Sequence, residues 1–406
     1  MKFSSRNKIP KRPSPTLFTL AMYLYAACYG CFGQFAFAPV SLITVVNSHS
    51  YQVVITNNLA YVANGEDGIH IFDISNPAAP ISLGSTNPGT PLYGGCYSIA
   101  LNGDYAYMAS GPDGLFVCDI SDPSHPESVA QWAIGGGHGV SVARASNYLY
   151  LGDFSDGIRV FDISSPTNLV NVSSFTNFGG NIILYSHYAF DGTGSRLGVS
   201  IFDTSDPTNL VFLGNTLANN AGWAQSCLVR SNYLYVADQV NGFSIFDISN
   251  PARPLKLNQL YSFDQVNSIT SWGNYAVLSI LGGGVLILDV SNPTNVVELG
   301  QVDDNFIGSW SCATKGNYVY SANAGDGLQI YYVVPQLSLS LAPSNTISLS
   351  WLQLPFPANY ALQQSSDLSL QQWHTITNQP NSVGLSNQVT LPMTFSASFF
   401  RLVVTP

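Results

Sequence analysis

The sequence has 406 residues, of which 46% are hydrophobic, 12% are aromatic and only 9% are charged. An ordinary soluble domain carries about 25% charged residues, and intrinsic disorder, which requires low hydrophobicity with high charge, is excluded. The composition also disfavours nucleic-acid binding, because 13 basic residues against 23 acidic ones give no Lys/Arg footprint to neutralise phosphates.

The N-terminal segment has the three parts of a secretory signal. Residues 1–16 carry five basic residues and no acid, and an apolar run follows from Leu17 to about Tyr29. The segment closes with Ala36-Phe37-Ala38. This order of charged region, hydrophobic region and A-x-A site predicts a signal peptide over residues 1–38, cleaved after Ala38.

Two alternatives to this cleavage stay open. The 22 residues from Leu17 to Ala38 could just span a bilayer as an uncleaved anchor. Cys28 could carry a lipid, although Tyr25 stands where a lipobox has Leu. No other stretch approaches 18 apolar residues, so we expect an exported protein, secreted or at the cell surface, with no membrane span after cleavage.

The chain that follows repeats with a period near 43 residues. The first copy, GIHIFDISNPAAP, contains Asp73, and the seventh, GLQIYYVV, has Tyr332 in the same place. The marker residues of all seven copies are Asp73, Asp119, Asp162, Asp203, Asp247, Asp289 and Tyr332, at intervals of 46, 43, 41, 44, 42 and 43 residues. A repeat of this length, made of alternating apolar and aromatic segments between turn residues, predicts a propeller blade of four short strands.

The seventh copy ends at Pro335 without a fourth strand. Residues 39–42, Pro-Val-Ser-Leu, resemble residues 80–83, Pro-Ile-Ser-Leu, which begin the fourth strand of the first copy. We therefore expect residues 39–47 to form the outer strand of the last blade. The predicted fold is all-β, a seven-bladed propeller closed by this N-terminal strand, and closure leaves few exposed sheet edges.

The regular aspartates and the cysteines receive a structural interpretation. An Asp at a strand end accepts backbone N–H groups of the following turn, and a feature present in six copies belongs to blade construction. Cys227 and Cys312 fall at a core position that is aliphatic in the other five copies, and Cys118 replaces a Phe. These three are predicted to be small core hydrophobes, whereas Cys96 is less constrained.

The segment YVANGEDGIHIFDISNPAAPISLG resembles the repeat of the LVIVD-repeat β-propellers, found mostly in bacterial exported proteins. The resemblance covers about residues 39–335. It implies a propeller fold and a surface or secreted repeat protein, but it supplies no catalytic residue, because the motif builds the blade.

Residues 336–406 alternate in a different way and resemble a small fibronectin type III-like β-sandwich, with Trp351 and Tyr360 as core aromatics. At about 70 residues the segment is shorter than the roughly 100 of an immunoglobulin-type sandwich. One or two strands are therefore expected to be absent, or the module is expected to lean on the propeller.

A binding site is predicted on the face that carries the connections between blades, where the copies differ most and where loops on a rigid scaffold bind ligands. The candidate residues at the channel mouth are His49, His138, Trp223, Asp264, Gln265, Asp303, Asp304 and Trp310. They form a polar and aromatic patch suited to an extracellular glycan or a protein. In the alternative reading the tryptophans plug the channel, and a calcium ion on Asp303 or Asp304 stays possible.

No enzyme motif for zinc, nucleophilic serine, phosphate or dinucleotide chemistry occurs. We therefore expect a monomeric, non-enzymatic binding or scaffold protein that needs no cofactor. The alternative is a propeller hydrolase or lyase on extracellular polysaccharide, which would require two converging carboxylates such as Asp264, Asp303 and Asp304 could supply. A wall-structural protein that self-associates is a third possibility.

Overall fold

The computed structural model describes residues 34–43, 49–87, 95–133, 138–176, 179–192, 198–216, 224–239, 241–260, 265–302, 308–323, 327–366, 372–393 and 398–405. Within these ranges the chain is all-β. No helix in the described residues is long and apolar enough to cross a membrane.

Strand β1 spans Phe35–Ile43, and the repeats follow as four-stranded sheets numbered in chain order. Sheet 1 contains β2 (Gln52–Thr56), β3 (Leu59–Ala63), β4 (Ile69–Asp73) and β5 (Ile81–Thr86). Sheet 2 contains β6 (Ser98–Asn102), β7 (Tyr105–Ala109), β8 (Leu115–Asp119) and β9 (Glu127–Trp132). Sheet 3 contains β10 (Gly139–Ala145), β11 (Tyr148–Asp153), β12 (Gly157–Asp162) and β13 (Val170–Phe175).

Sheet 4 contains β14 (Asn181–Tyr185), β15 (Tyr188–Gly192), β16 (Val199–Asp203) and β17 (Val211–Asn215). Sheet 5 contains β18 (Ala224–Arg230), β19 (Tyr233–Asp238), β20 (Gly242–Asp247) and β21 (Leu255–Leu260). Sheet 6 contains β22 (Val266–Trp272), β23 (Tyr275–Ile280), β24 (Gly284–Asp289) and β25 (Val297–Val302). Sheet 7 contains β26 (Ser309–Lys315), β27 (Tyr318–Asn323) and β28 (Gly327–Pro335), and its fourth strand is β1.

The repeated aspartates build the turn after the third strand of each sheet. In all six copies the carboxylate Oδ1 accepts the backbone N–H of the Ser two residues later, at 2.8 to 2.9 Å. In sheet 2 the hydroxyl and the N–H of Ser121 both hold the pKa of Asp119 below its usual range. The structural interpretation of these six residues is therefore confirmed.

Apolar faces join each sheet to the next. Seven hydrophobic clusters occupy the seven contacts between neighbouring sheets, including the contact between sheets 7 and 1. The second strand supplies a fully buried tyrosine in four sheets: Tyr107, Tyr150, Tyr235 and Tyr320. The ring of each of these tyrosines packs between two neighbouring sheets, where a large planar side chain buries much apolar area.

All four cysteines of the described residues are buried and free. Cys118, Cys227 and Cys312 lie in the apolar clusters between sheets, as the repeat register predicts. Burial raises the pKa of the Cys118 thiol to about 12, so it stays protonated and unreactive at neutral pH. Cys96 packs in the same cluster as Cys118.

Strand β1 confirms the expected origin of the missing fourth strand. It pairs antiparallel with β28, from Phe35 opposite Pro335 to Ile43 opposite Leu328. Residues 39–43 therefore lie where the sequence places them, and residues 44–47 lie outside the described residues. The strand begins at Phe35, four residues before the expected mature N-terminus at Pro39.

Two further sheets follow the repeats. One contains β29 (Ser338–Ala342), β30 (Thr346–Leu352), β34 (Ser386–Pro392) and β33 (Asn381–Val383), and the other contains β32 (His374–Thr375), β31 (Asn359–Ser365) and β35 (Phe399–Thr405). A separate core that includes the buried Trp351 lies between them, with the half-buried Tyr360 packed against it.

This C-terminal module contacts sheets 6 and 7. Leu352 and Leu354 belong to the same apolar cluster as Trp272 of sheet 6. The side-chain amide of Asn317, in the turn between β26 and β27, donates to the carbonyl of Phe356 at 3.1 Å and accepts its N–H at 3.3 Å. The short module therefore leans on the repeats for part of its apolar surface.

Sheet 4 contains a buried carboxyl at a position that is aliphatic in four of the other six sheets and is Met108 in sheet 2 and Ser321 in sheet 7. Asp191 lies opposite Ile182 and Ser200 in the sheet, at the position of Leu151 in sheet 3 and Val236 in sheet 5. It is fully buried, and neither carboxyl oxygen has a hydrogen-bond partner at normal geometry among the described residues. Desolvation raises the pKa of Asp191 from 3.8 to about 7, against the smaller opposing effect of the Gly180 N–H.

Asp191 should make the protein less stable as the pH rises. The folded protein keeps the Asp191 proton up to about pH 7, whereas the unfolded chain releases it above pH 3.8. The contribution of Asp191 to the free energy of unfolding should therefore be highest below pH 3.8 and fall between pH 3.8 and 7, by at most about 1.4 kcal/mol per pH unit. Asp191→Asn should flatten this slope in urea unfolding measured from pH 4 to 8. Asp203→Asn, at an exposed carboxylate of the same sheet, should leave the slope in place. An unchanged slope in Asp191→Asn would contradict the assignment.

Candidate functional site

A cavity of about 790 Å³ lies where the first strands of all seven repeat sheets face one another. Each first strand contributes one polar residue directly before its core residue. This polar ring consists of Gln52, Ser98, Ser141, Asn181, Ser226, Ser268 and Ser311. One repeated position thus gives every sheet a polar residue in the cavity wall, although the sheets behind the wall are apolar.

Part of the polar ring joins neighbouring sheets. Gln52 Oε1 accepts the N–H of Ile99 at 2.6 Å, Ser98 Oγ accepts the N–H of Val142 at 3.1 Å, and Ser141 Oγ accepts the N–H of Ile182 at 3.1 Å. Each bond links one sheet to the first strand of the next. These side chains have a construction role, so they are poor candidates for ligand specificity.

The residue just before the ring position is placed by a β-bulge in four sheets. The pairing of first and second strands skips Val140, Gln225, Asn267 and Trp310, and all four line the cavity. A bulge leaves one residue unpaired and re-aims its side chain. The seven copies differ most in chemistry here, because the blade core does not restrict this position.

One side of the cavity is aromatic. The rings of Tyr51 and Tyr97, from sheets 1 and 2, lie 4.9 Å apart, and the Trp310 ring of sheet 7 meets Tyr51 edge-on at 5.5 Å. His49 stacks on Tyr51 at 6.2 Å. Burial, with a smaller effect of the Glu66 carboxylate, raises the pKa of Tyr97, so the aromatic wall is uncharged at neutral pH.

Sheets 4 to 6 contribute primary amides to the cavity wall. Asn181, Gln225, Gln239 and Asn267 line it, and the Asn181 amide donates to Gln225 Oε1 at 3.2 Å. Asn267 is 5% exposed, and its amide donates to the Ser309 carbonyl at 3.3 Å. Among the described residues its Oδ1 has no hydrogen-bond partner, and neither has Trp310 Nε1.

The cavity wall carries little charge. Apart from the tyrosines, its ionisable residues are His138 and Arg144, and no Asp or Glu lies among the described lining residues. Arg144 donates through Nε to the Leu101 carbonyl at 2.9 Å and through Nη1 to the Ser146 carbonyl at 2.6 Å. The described residues contain no group of three or more His, Cys, Asp or Glu placed to hold a metal ion.

The predicted site residues divide into three groups. Trp310 and His138 line the cavity, and His49 lies next to it against Tyr51. Gln265 is exposed outside the lining. Trp223, Asp264, Asp303 and Asp304 lie outside the described residues, so the calcium site and the carboxylate pair stay predictions.

Sequence reasoning missed Tyr51, Tyr97 and the four amides. A usable signal was present, because these residues include the position two before the aligned core residue of each copy. Tyr51, Tyr97, Gln225 and Asn267 all occupy it. The sequence-based prediction rested on the connections between blades, because the copies differ most there.

Comparison with known families finds five LVIVD repeats, at residues 49–87, 94–132, 136–177, 221–259 and 265–304. These correspond to sheets 1, 2, 3, 5 and 6. Sheet 4, with the buried Asp191, and sheet 7, with its separate fourth strand, are not matched. Comparison with curated proteins gives no match.

Several solved structures share the fold. The WD40 beta propeller domain of Doa1 superposes with a TM-score of 0.56 at 10% identity, covering 73% of this chain and 96% of that one. The RRP9 WD40 repeats give 0.58 at 8% identity, with 74% and 100% covered. The computationally designed Ika8 protein gives 0.55 at 11% identity, with 72% and 99% covered. The chain is therefore a propeller-like repeat protein that contains LVIVD repeats.

The polar ring should contribute to stability where it accepts a buried N–H. Ser98→Ala leaves the Val142 N–H without its acceptor, which should lower the free energy of unfolding by about 1–3 kcal/mol. Ser226→Ala is the matched control, because Ser226 accepts no backbone N–H among the described residues. Urea unfolding measures both, and equal losses would contradict the role of the ring.

Proposed function

We propose that the protein is an exported, monomeric, seven-bladed propeller that binds a neutral saccharide in its central cavity and carries a fibronectin type III-like module at its C-terminal end. The single observation that carries the proposal is the meeting of aromatic rings and primary amides in one cavity whose described lining contains no carboxylate. Export is supported by the signal-like order of residues 1–29 and places the ligand outside the cell.

The two kinds of wall suit the two surfaces of a sugar ring. The C–H faces of a saccharide pack on aromatic rings such as Tyr51, Tyr97 and Trp310, which bury apolar area and keep a polar edge. Saccharide hydroxyls both donate and accept hydrogen bonds, and each primary amide offers both functions. Asn267 Oδ1 and Trp310 Nε1 are a buried acceptor and a buried donor without hydrogen-bond partners among the described residues.

Charge and size narrow the ligand class. The formal net charge of the chain is −10, which disfavours a polyanionic glycan, and the Arg144 guanidinium in the lining is already engaged by two backbone carbonyls. A volume of about 790 Å³ lies within the range of small-molecule sites, about 300–1,000 Å³. A short neutral oligosaccharide, or one end of a longer chain, has the required size and chemistry.

A hydrolase or lyase receives no comparable support. Glycoside hydrolysis needs two carboxylates on either side of the scissile bond, and no carboxylate lies in the described lining. Binding is therefore the function that this geometry favours.

Binding can be tested by calorimetric titration of the purified protein with cellohexaose, maltohexaose, xylohexaose and chitohexaose. At least one should bind, and polygalacturonate, a polyanionic control, should not. Absence of heat with all four neutral glycans, together with binding of a peptide library, would replace the saccharide with a peptide ligand.

Variants of the cavity wall should weaken this binding without unfolding the protein. Trp310→Ala removes an aromatic platform and Gln225→Leu removes an amide, so each should weaken binding about tenfold or more, equivalent to about 1.4 kcal/mol. Gln265→Leu is the matched control, because Gln265 is exposed and outside the cavity lining. Equal affinity in Gln225→Leu and Gln265→Leu would place the ligand elsewhere.

A further inference from the structure

The first residues of β1 pack against the fourth strand of sheet 6, where other sheets receive a loop from the sheet that follows them. In sheets 1 and 4 a glycine of the fourth strand packs against the Pro-containing loop of the next sheet. A Cβ on Gly84 would lie 2.7 Å from the Pro123 carbonyl oxygen, and one on Gly214 would lie 2.7 Å from that of Ala252. Sheet 7 has no such loop, since β28 runs on to Pro335.

In sheet 6 the corresponding glycine, Gly300, packs against the N-terminal segment instead of a loop. A Cβ on Gly300 would lie 2.3 Å from the Phe35 carbonyl oxygen. The Gln34 N–H donates to the Leu299 carbonyl at 2.5 Å, and the Gln34 carbonyl accepts the N–H of Gln336 at 2.8 Å. Residues 34 and 35 therefore join sheet 6 to the start of the C-terminal module.

The side chains of this segment are core residues. Phe35 is 2% exposed, and its ring meets Trp272 at 5.4 Å and Tyr275 at 5.5 Å, both edge-on. Phe37 packs edge-on against Tyr331 at 5.7 Å. Ala38, the residue after which an A-x-A site would be cut, is 1% exposed in the middle of β1.

Cleavage after Ala38 would remove the first four of the nine residues of β1. It would expose the faces of Trp272 and Tyr275 and leave Leu352 and Leu354 of the C-terminal module against an empty space, because all belong to one cluster with Phe35. A large buried aromatic residue is among the most destabilising groups to lose.

We infer that signal-peptide removal spares residues 34–38, and that the cut falls at the Gly33–Gln34 bond. The sequence Cys31-Phe32-Gly33 places small residues at the third and first positions before this bond, the spacing that an A-x-A-like site requires. Water adds across the bond, so that Gly33 leaves with the carboxylate and Gln34 keeps the new amine. That amine still has N–H groups to donate to the Leu299 carbonyl. This inference rests on the proposed export.

The site of processing can be read directly. The full chain, expressed with its N-terminal segment in a secreting bacterial host, should be recovered outside the cytoplasm with an N-terminus at Gln34 by sequencing and intact mass. Gly33→Glu should block this cut, whereas Ala36→Glu, which spoils the A-x-A site, should not. An N-terminus at Pro39 overturns the inference.

A second experiment tests the role of residues 34–38 in the folded protein and does not depend on export. Chains 34–406 and 39–406, made without a signal in the cytoplasm, are compared by thermal unfolding, and the shorter chain should melt lower by about 5 °C or more. Phe35→Ala should reproduce most of this loss, while Leu42→Ala, at a 50% exposed residue of the same strand, should not. Equal melting temperatures of the two chains overturn the inference, and so does a chain that is exported uncleaved. A chain retained in the cytoplasm, with the expected melting difference, removes only the proposed export.

Discussion

The apolar contact between neighbouring sheets is the constraint on which the rest of this structure depends. A single four-stranded sheet of this kind has two apolar faces and cannot bury either alone, so each repeat needs a neighbour on both sides. Seven apolar clusters lie between the seven sheets, and one of them lies between sheets 7 and 1. The buried tyrosines and the cysteines lie in these clusters, whereas the turn aspartates fix the turn within each sheet.

The same constraint explains why the binding chemistry is concentrated at the inner edge. Residues between the sheets are predominantly apolar, and the turns after the third strands are fixed by Asp and Ser. The inner edge is the part of each repeat that faces neither a neighbour nor bulk solvent. Its bulge positions are therefore free to be Val140, Gln225, Asn267 or Trp310 without loss of the repeat.

The repeat period made the sheets, the strand-end aspartates and the placement of residues 39–43 in the last sheet predictable, because these features recur or complete a recurring pattern. The cavity was harder to predict. A bulge cannot be recognised in a single copy, and Tyr51 and Asn267 look unrelated until the register is known. The burial of Asp191 and the extra length of β1 were unpredictable for a similar reason, since each departs from the repeat. Asp191 is a buried carboxyl in sheet 4, and the first residues of β1 take the place of the loop that sheet 7 lacks.

The pairing of β1 with β28 also sets an order of events during folding. Phe35 of β1 and its partner Pro335 of β28 are separated by about 300 residues, so sheet 7 cannot be completed until nearly the whole repeat region has been synthesised. Contacts so distant in sequence form slowly because the loop between them must first be ordered. Until then β28 has an open edge able to pair with another chain. In a chain that crosses a membrane before it folds, the open edge of β28 would be exposed only after the crossing.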